Sequence, residues 1–344
     1  MNKIAGLVLS AVVLTTLSLA GCSSAAPSAS SPTPSSKPVA APAGRIVFRQ
    51  FLDAVQTQGA LFVINTDGTH KMQLTKPAAA ENDGEPNWSA DGTRIAYAKL
   101  TGVGTASESH EIDVINADGS GNVSLTTAGT PDDVNFNDQP AFSPDGTEIA
   151  YAHGGGNPSA NQLVNTGIFI MDADGSNQHE VVTMPPSAAD VGGVAWSPDG
   201  KQLLYGVSNT GSGKPTGGRA FFIVNVDGTG NTQLTKWDSG ADGVPDWSAK
   251  TNAIAFRVAP NEESGIGNFF TVRPDGSSLS QVTRFKSAVM SHRVAFSPDG
   301  DWIVFGVNST GTTHIELSKV DGSQARTIVG GDVDSSSPDW SPVP

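Results

Sequence analysis

The chain has 344 residues, of which 37% are hydrophobic and 16% charged, and its 20 basic against 34 acidic side chains give a formal net charge of −14. A surface this acidic repels nucleic acid and anionic lipid headgroups and favours cations, basic proteins or neutral ligands. A single cysteine excludes an intrachain disulfide and a thiolate zinc cluster.

The first 21 residues have the pattern of an export signal. Lys3 supplies a basic start, an apolar run extends from Ile4 to Leu14, and small residues then precede a cysteine. The run is too short for a membrane span, which needs about 20 apolar residues. The junction Leu19-Ala20-Gly21-Cys22 resembles the bacterial lipobox, which implies that Cys22 carries lipid; the alternative is an ordinary signal with an incidental cysteine. Residues 22–44 are dominated by Ser, Ala and Pro with Lys37 as the one charge. Such a segment cannot bury enough apolar surface to offset its ordering entropy, so a disordered tether is expected.

From residue 45 onward the sequence repeats. One motif is an aromatic residue, Ser, Pro or Ala, then Asp-Gly and an apolar strand. It occurs as Trp88-Ser89-Ala90-Asp91-Gly92, Phe142-Ser143-Pro144-Asp145-Gly146, Trp196 to Gly200, and Phe296 to Gly300. Trp247-Ser248-Ala249 is a degenerate copy in which Lys250-Thr251-Asn252 replaces the Asp-Gly turn. A second Asp-Gly follows each apolar strand, at Asp67, Asp118, Asp174, Asp227, Asp275 and Asp321, and a short strand then ends in Leu-Thr or a relative. Asp-Gly pairs supply the positive φ of tight hairpins. Asp172-Ala173-Asp174-Gly175 looks like a calcium loop, but its glycine is misplaced for an EF-hand. Four strands recurring at this spacing are the signature of a propeller blade.

The repeat resembles the TolB-like propeller family over nearly all of residues 45–344. The resemblance implies an all-β fold, a six-bladed β-propeller, and marks architecture more than function. The amino-terminal α/β domain of TolB is replaced here by the tether. Residues 45–48 begin the propeller with an apolar strand that lacks an aromatic-Ser strand before it. Asp339-Trp340-Ser341-Pro342 ends it with an aromatic-Ser strand that lacks a successor. Joined, they make one blade, so the ring is expected to be closed by the carboxy-terminal strand.

Strand parity places both kinds of Asp-Gly turn on one face. The opposite face receives the longer connections, expected as loops over 98–110, 152–166, 206–219 and 257–267. An acidic residue precedes each aromatic-Ser strand except one: Asp83, Asp138, Asp190, Asp242 and Asp334, with His292-Arg293 in the sixth place. With that strand innermost, as the family implies, these residues circle one mouth of the channel. They are the candidate site for a basic peptide or a cation, Ca²⁺ being the metal such a rim would take. The alternative is that each Asp caps its own turn.

Neither a Gly-x-Ser-x-Gly elbow nor a His-Glu-x-x-His helix occurs, and no two histidines have metal-ligand spacing. His110, His153 and His292 fall on the long-loop face, as do Trp237 and Phe136. The sequence therefore reads as a non-enzymatic, monomeric scaffold, lipid-anchored to the cell envelope on its extracytoplasmic or periplasmic side. Its partner is expected to be an envelope protein or basic peptide. A carbohydrate-binding propeller, or a metal-dependent lyase-like one, is the alternative.

Overall fold

The computed structural model describes residues 42–105, 108–127, 134–157, 162–184, 191–209, 218–259, 266–308 and 311–342. The export signal, Cys22 and nearly all of the tether lie outside them. Every regular element among the described residues is a strand, and antiparallel pairing sorts the 24 strands into four-stranded units. From the axis outward, the first unit is β24 (Ser335–Trp340), β1 (Arg45–Phe51), β2 (Gly59–Asn65) and β3 (Met72–Gln73). The second is β4 (Glu81–Trp88), β5 (Arg94–Thr101), β6 (Ser109–Asn116) and β7 (Val123–Ser124). The third is β8 (Val134–Phe142), β9 (Glu148–Asn157), β10 (Gln162–Asp172) and β11 (His179–Thr183). The fourth is β12 (Val191–Trp196), β13 (Gln202–Asn209), β14 (Gly218–Asn225) and β15 (Thr232–Gln233). The fifth is β16 (Ala241–Trp247), β17 (Ile254–Val258), β18 (Asn268–Val272) and β19 (Ser280–Gln281). The sixth is β20 (Val289–Phe296), β21 (Trp302–Asn308), β22 (Thr313–Lys319) and β23 (Arg326–Val329). The inner strands touch in the order β24, β4, β8, β12, β16, β20 and back to β24, so the ring closes on itself.

The second strand of each blade reads as a continuous apolar run because both of its faces are covered. In β1, Ile46 and Phe48 pack with Trp302, Val304 and Leu317 of the sixth blade. Val47, pointing the other way, packs with Ile95 and Tyr97 of the second. Strand alternation thus glues each blade to two neighbours. Each such side chain, once fully buried, contributes about 1.5–3 kcal/mol.

Turn chemistry explains the aromatic-Ser-x-Asp-Gly motif. The Ser89 hydroxyl donates to Asp91 (2.7 Å) and accepts from the Arg94 N–H (2.9 Å), while Asp91 also accepts from the Thr93 N–H (3.0 Å). Gly92 takes the positive φ of 67° that the turn requires. These hydrogen bonds hold the Asp91 carboxyl down at about 2. In the degenerate fifth blade Asn252 adopts φ 53°, and its side chain accepts from the Trp247 indole N–H (2.7 Å). The calcium-like sequence at 172–175 is also a turn, with Asp174 accepting from the N–H and hydroxyl of Ser176.

The carboxy-terminal strand closes the first blade. Residues Trp340, Asp339, Ser336 and Ser335 of β24 lie opposite Ile46, Val47, Arg49 and Gln50 of β1. Arg49 donates from Nε and Nη2 to the Ser336 hydroxyl (3.2 and 2.9 Å), and Gln50 donates to Ser335 (3.2 Å).

The long-face connections are shorter than the sequence suggests. Much of 152–166 is strand, since β9 runs on to Asn157 and β10 begins at Gln162. Strand also takes up both ends of 98–110 and 206–219, whereas among the described residues of 257–267 only Arg257 and Val258 are strand. Gly154 and Gly155 pair with Phe136 and Asn135 on the inner side. A ladder needs backbone, not side chains, so a glycine-rich stretch flanked by two partners stays extended.

Candidate binding site in the central channel

Each inner strand breaks register with its neighbour midway along the channel. The shifts fall between Gly84 and Asn87, Asp138 and Ala141, Gly192 and Ala195, Asp242 and Asp246, and Met290 and Val294; in the first blade the shift lies opposite Val47–Arg49. Five of these bulges carry a residue at positive φ: Glu85, Gln139, Gly193, Gly243 and Ser337. Bulges re-aim side chains, and non-glycine residues in this conformation are strained, so the belt marks a place where the fold sets geometry against local preference.

The re-aimed groups meet across the axis. Ser337 donates to Glu85 Oε1 (2.6 Å), and Arg293 stands 4.0 Å from Glu85 and 3.7 Å from Asp339. On the far side Gln139 accepts from the Gly193 N–H. Above and below this belt lie two chambers. The one toward the tight turns, about 280 Å³, contains Asn87, Asp246, Arg293 and Asp339 and opens through a collar of Ala90, Pro144, Pro198, Ala249, Pro298 and Pro342. The one toward the long connections, about 270 Å³, is lined by Arg49, Glu85, His292, Thr313, Asp334 and Ser336 among others.

The residues singled out from sequence reach different places. Asp334 and His292 share the long-side chamber, where Asp334 accepts from the Gln56 amide (2.6 Å) and the Thr313 N–H (2.6 Å). Asp242 is held by Arg257, which donates to it, and by Arg219 at 3.6 Å. Burial opposes its charge, but Arg257, Arg219 and the Gly243 N–H together keep its pKa below the usual value. Asp138 accepts from its neighbour's N–H (2.8 Å) and lies 3.5 Å from His110. Burial works against a charged His110, yet Asp138 and Glu108 together raise its pKa. Arg293 is buried at the belt rather than displayed on a rim. Asp83 does not join the others. It is 3% exposed, faces Thr75 and Asp113 in the blade wall, and enclosure pushes its pKa up to about 6. Asp190 lies outside the described residues.

The channel is therefore a mixed-charge site rather than an acidic ring. The carboxylates of Glu85, Asp138, Asp242, Asp246, Asp334 and Asp339 stand with the guanidinium groups of Arg49, Arg219, Arg257 and Arg293. A ring of uncompensated like charges would be costly at this depth, and arginine's planar fork offsets the cost. The sequence motif hides this because the arginines come from different places in the repeat: the second strands β1 and β17, the third strand β14 and the inner strand β20. Among the described residues no group of three His, Cys, Asp or Glu side chains is placed to hold a metal ion, so the Ca²⁺ reading gains no ligand set.

The long-face histidines and aromatics are engaged with their own surroundings. His110 meets Phe136 edge-on with ring centroids 5.0 Å apart. His153 bonds Asn137 (2.7 Å) and packs on Phe169, while Trp237 packs on Phe222. His292 has its pKa lowered, first by burial and then by Arg257.

A ring of antiparallel four-stranded blades around a plugged axial channel defines a β-propeller. Residues 92–343 match the family profile of the TolB beta propeller domain, and the chain belongs to that family. It is 26% identical over 279 residues to an uncharacterized protein of Agrobacterium fabrum, covering 75% of this chain and 80% of the other. A stretch of 117 residues is 31% identical to dipeptidyl-peptidase 5 of Porphyromonas endodontalis, but spans 34% of this chain and 16% of that enzyme. Among solved structures, TolB from Acinetobacter baumannii superposes with a TM-score of 0.66 at 17% identity, over 87% of this chain and 66% of that one. At that identity the likeness speaks for the fold.

Proposed function

We propose that this chain is an exported recognition scaffold of the cell envelope, held by lipid at Cys22, that binds a protein or peptide at the long-connection mouth of its channel. The observation that carries this reading is the chamber of about 270 Å³ there, lined by Arg49, Glu85, His292, Thr313, Asp334 and Ser336. It offers donors and acceptors of both charges, which suits a polypeptide better than a lone cation. Two further features support it. The described chain enters the propeller on the opposite, tight-turn side, where the Thr66 N–H bonds Gly44 (3.1 Å), so the first described residues lie away from this mouth. His110 and His153 on the same face are occupied in packing and hydrogen bonds, which favours recognition over catalysis.

The mixture of charges also narrows the partner. A segment that places one basic and one acidic or amide group in the mouth matches Asp334, Glu85 and Arg49 better than a purely basic peptide does. The test is cross-linked capture from detergent-solubilised envelope with the full chain and with an Asp138→Asn, His292→Ala, Asp334→Asn variant. Loss of a partner from the variant, with unchanged thermal stability, is the expected result. Equal capture by both proteins overturns the reading.

A further inference from the structure

Five of the six seams between blades close at the outer rim in one way. The turn between third and fourth strands of each blade rests on the fourth strand of the blade before it. A Cβ added at Gly68, Gly119, Gly175 or Gly228 would lie 2.9–3.6 Å from the carbonyl oxygen of Ile328, Leu74, Leu125 or Val181 respectively, and one at Gly322 would press still nearer that of Val282. Each of these turns is also pinned to its own blade by a backbone N–H. Thr66 donates to Gly44, Ala117 to Thr93, Ala173 to Thr147, Val226 to Lys201 and Val320 to Asp301, at 2.8–3.1 Å.

The seam between the fourth and fifth blades departs from this pattern. The residue equivalent to Thr66, Ala117 and the rest is Pro274, which has no N–H to donate. The carbonyl it would have met belongs to Asn252, in the turn that lost its Asp-Gly. A Cβ added at Gly276 would have nothing within 4 Å. A groove of about 260 Å³ opens there, lined by Ile223, Thr232, Gln233 and Leu234 of the fourth blade and Pro274 and Asp275 of the fifth. Two sequence departures, a lost pin and an uncovered glycine thus coincide in one blade.

We propose that this seam is a second docking site, taking an extended backbone segment of a partner protein that pairs with the outer edge of β15 and sets a small apolar side chain between Leu234 and Pro274. The other seams identify the occupant: at the same place in each of them, polypeptide backbone lies against the fourth-strand carbonyl. β15 pairs with β14 on its inner side, through Phe222 with Gln233 and Ile223 with Thr232, and its other edge faces outward. Strand addition to such an edge draws affinity from main-chain hydrogen bonds and specificity from a neighbouring pocket. With Thr232 and Gln233 neutral and Asp275 the one charge on the lining, the segment that fits is close to neutral.

The test uses a phage-displayed library of short random peptides panned on the full chain. Pro274→Val restores the missing N–H and is expected to close the groove, while Leu234→Arg fills it. Selected peptides should lose affinity by about tenfold or more in both variants and keep it in the channel variant Asp334→Asn. Hydrogen exchange at residues 232–234 should slow when such a peptide is added. Pro274→Val is expected to fold at least as stably as the parent, so it decides the matter even where Leu234→Arg fails to fold. Panning that yields no binder, binders indifferent to Pro274→Val, or self-association of the chain that Pro274→Val abolishes would each overturn the proposal.

Discussion

Asp83 and Asp339 are carboxyls enclosed at two different places in the repeat, one in a blade wall and one at the channel belt. Both are buried, and for both enclosure is the largest influence, raising the pKa from 3.8 to about 6. Arg293 pulls Asp339 the other way without prevailing. An acid with a higher pKa in the fold binds its proton more tightly there, so stability falls as pH rises from about 4 to about 6. The turn aspartates, such as Asp91 at about 2, act in the opposite sense and withdraw stability below pH 4 or so. The thermal midpoint is therefore expected to rise on going from pH 7 to pH 5, and Asp83→Asn should flatten that rise. A midpoint independent of pH across this interval would contradict the assignment. Arg257 is the complementary case: it donates to Asp242 and to the Met290 carbonyl (2.9 Å). Arg257→Gln should cost on the order of 3 kcal/mol by leaving a carboxylate poorly compensated. Adding Asp242→Asn should recover much of it in a urea-denaturation cycle.

At the scale of elements, the decisive strand is β24. It supplies the inner strand of the first blade, and its Asp339 also accepts from the Trp88 N–H of the second blade (2.8 Å). Two equivalent staples occur, Asn87 accepting from the Phe142 N–H and Asp246 from the Phe296 N–H. Deleting residues 337–344 removes one staple and the part of β24 that faces Ile46 and Val47, leaving them along an open edge. The truncated chain should melt well below the parent and without a single cooperative transition, as calorimetry would show. The fifth blade is the other informative element. Its altered inner turn and Pro274 together loosen one seam, so Pro274→Val should raise the thermal midpoint by a few degrees even with no ligand present. Tyrosine placement follows the same local logic. Tyr97 and Tyr205 bond Asn122 and Asn231, whereas the fifth blade has Phe256 with Leu279 at the matching positions. Hydroxyl and partner are gained or lost together within the repeat.

For the whole molecule, the net charge of −14 does not describe the channel, where four arginines partly offset the carboxylates. Partner binding at the long-side mouth should consequently show a shallow dependence on salt, checked by titration calorimetry at several ionic strengths. A steep dependence would point instead to the acidic outer surface as the contact.

The repeat alone determined the blades, their turns and the pairing of the two chain ends, because a tight hairpin and a strand covered on both faces are local demands that few residue types meet. The rim was legible only as spacing. Asp83 and Asp242 occupy like places in the repeat, yet one faces a blade wall and the other an arginine pair. That choice depends on bulges at Glu85 and Gly243 and on Arg219 and Arg257, which arrive from other strands of the ring. The open seam had a sequence signal in Pro274, but its meaning came from the five closed ones. Side-chain direction at a bulge, and the partners met across an axis, arise only when distant strands are brought together, and the tertiary structure decided both.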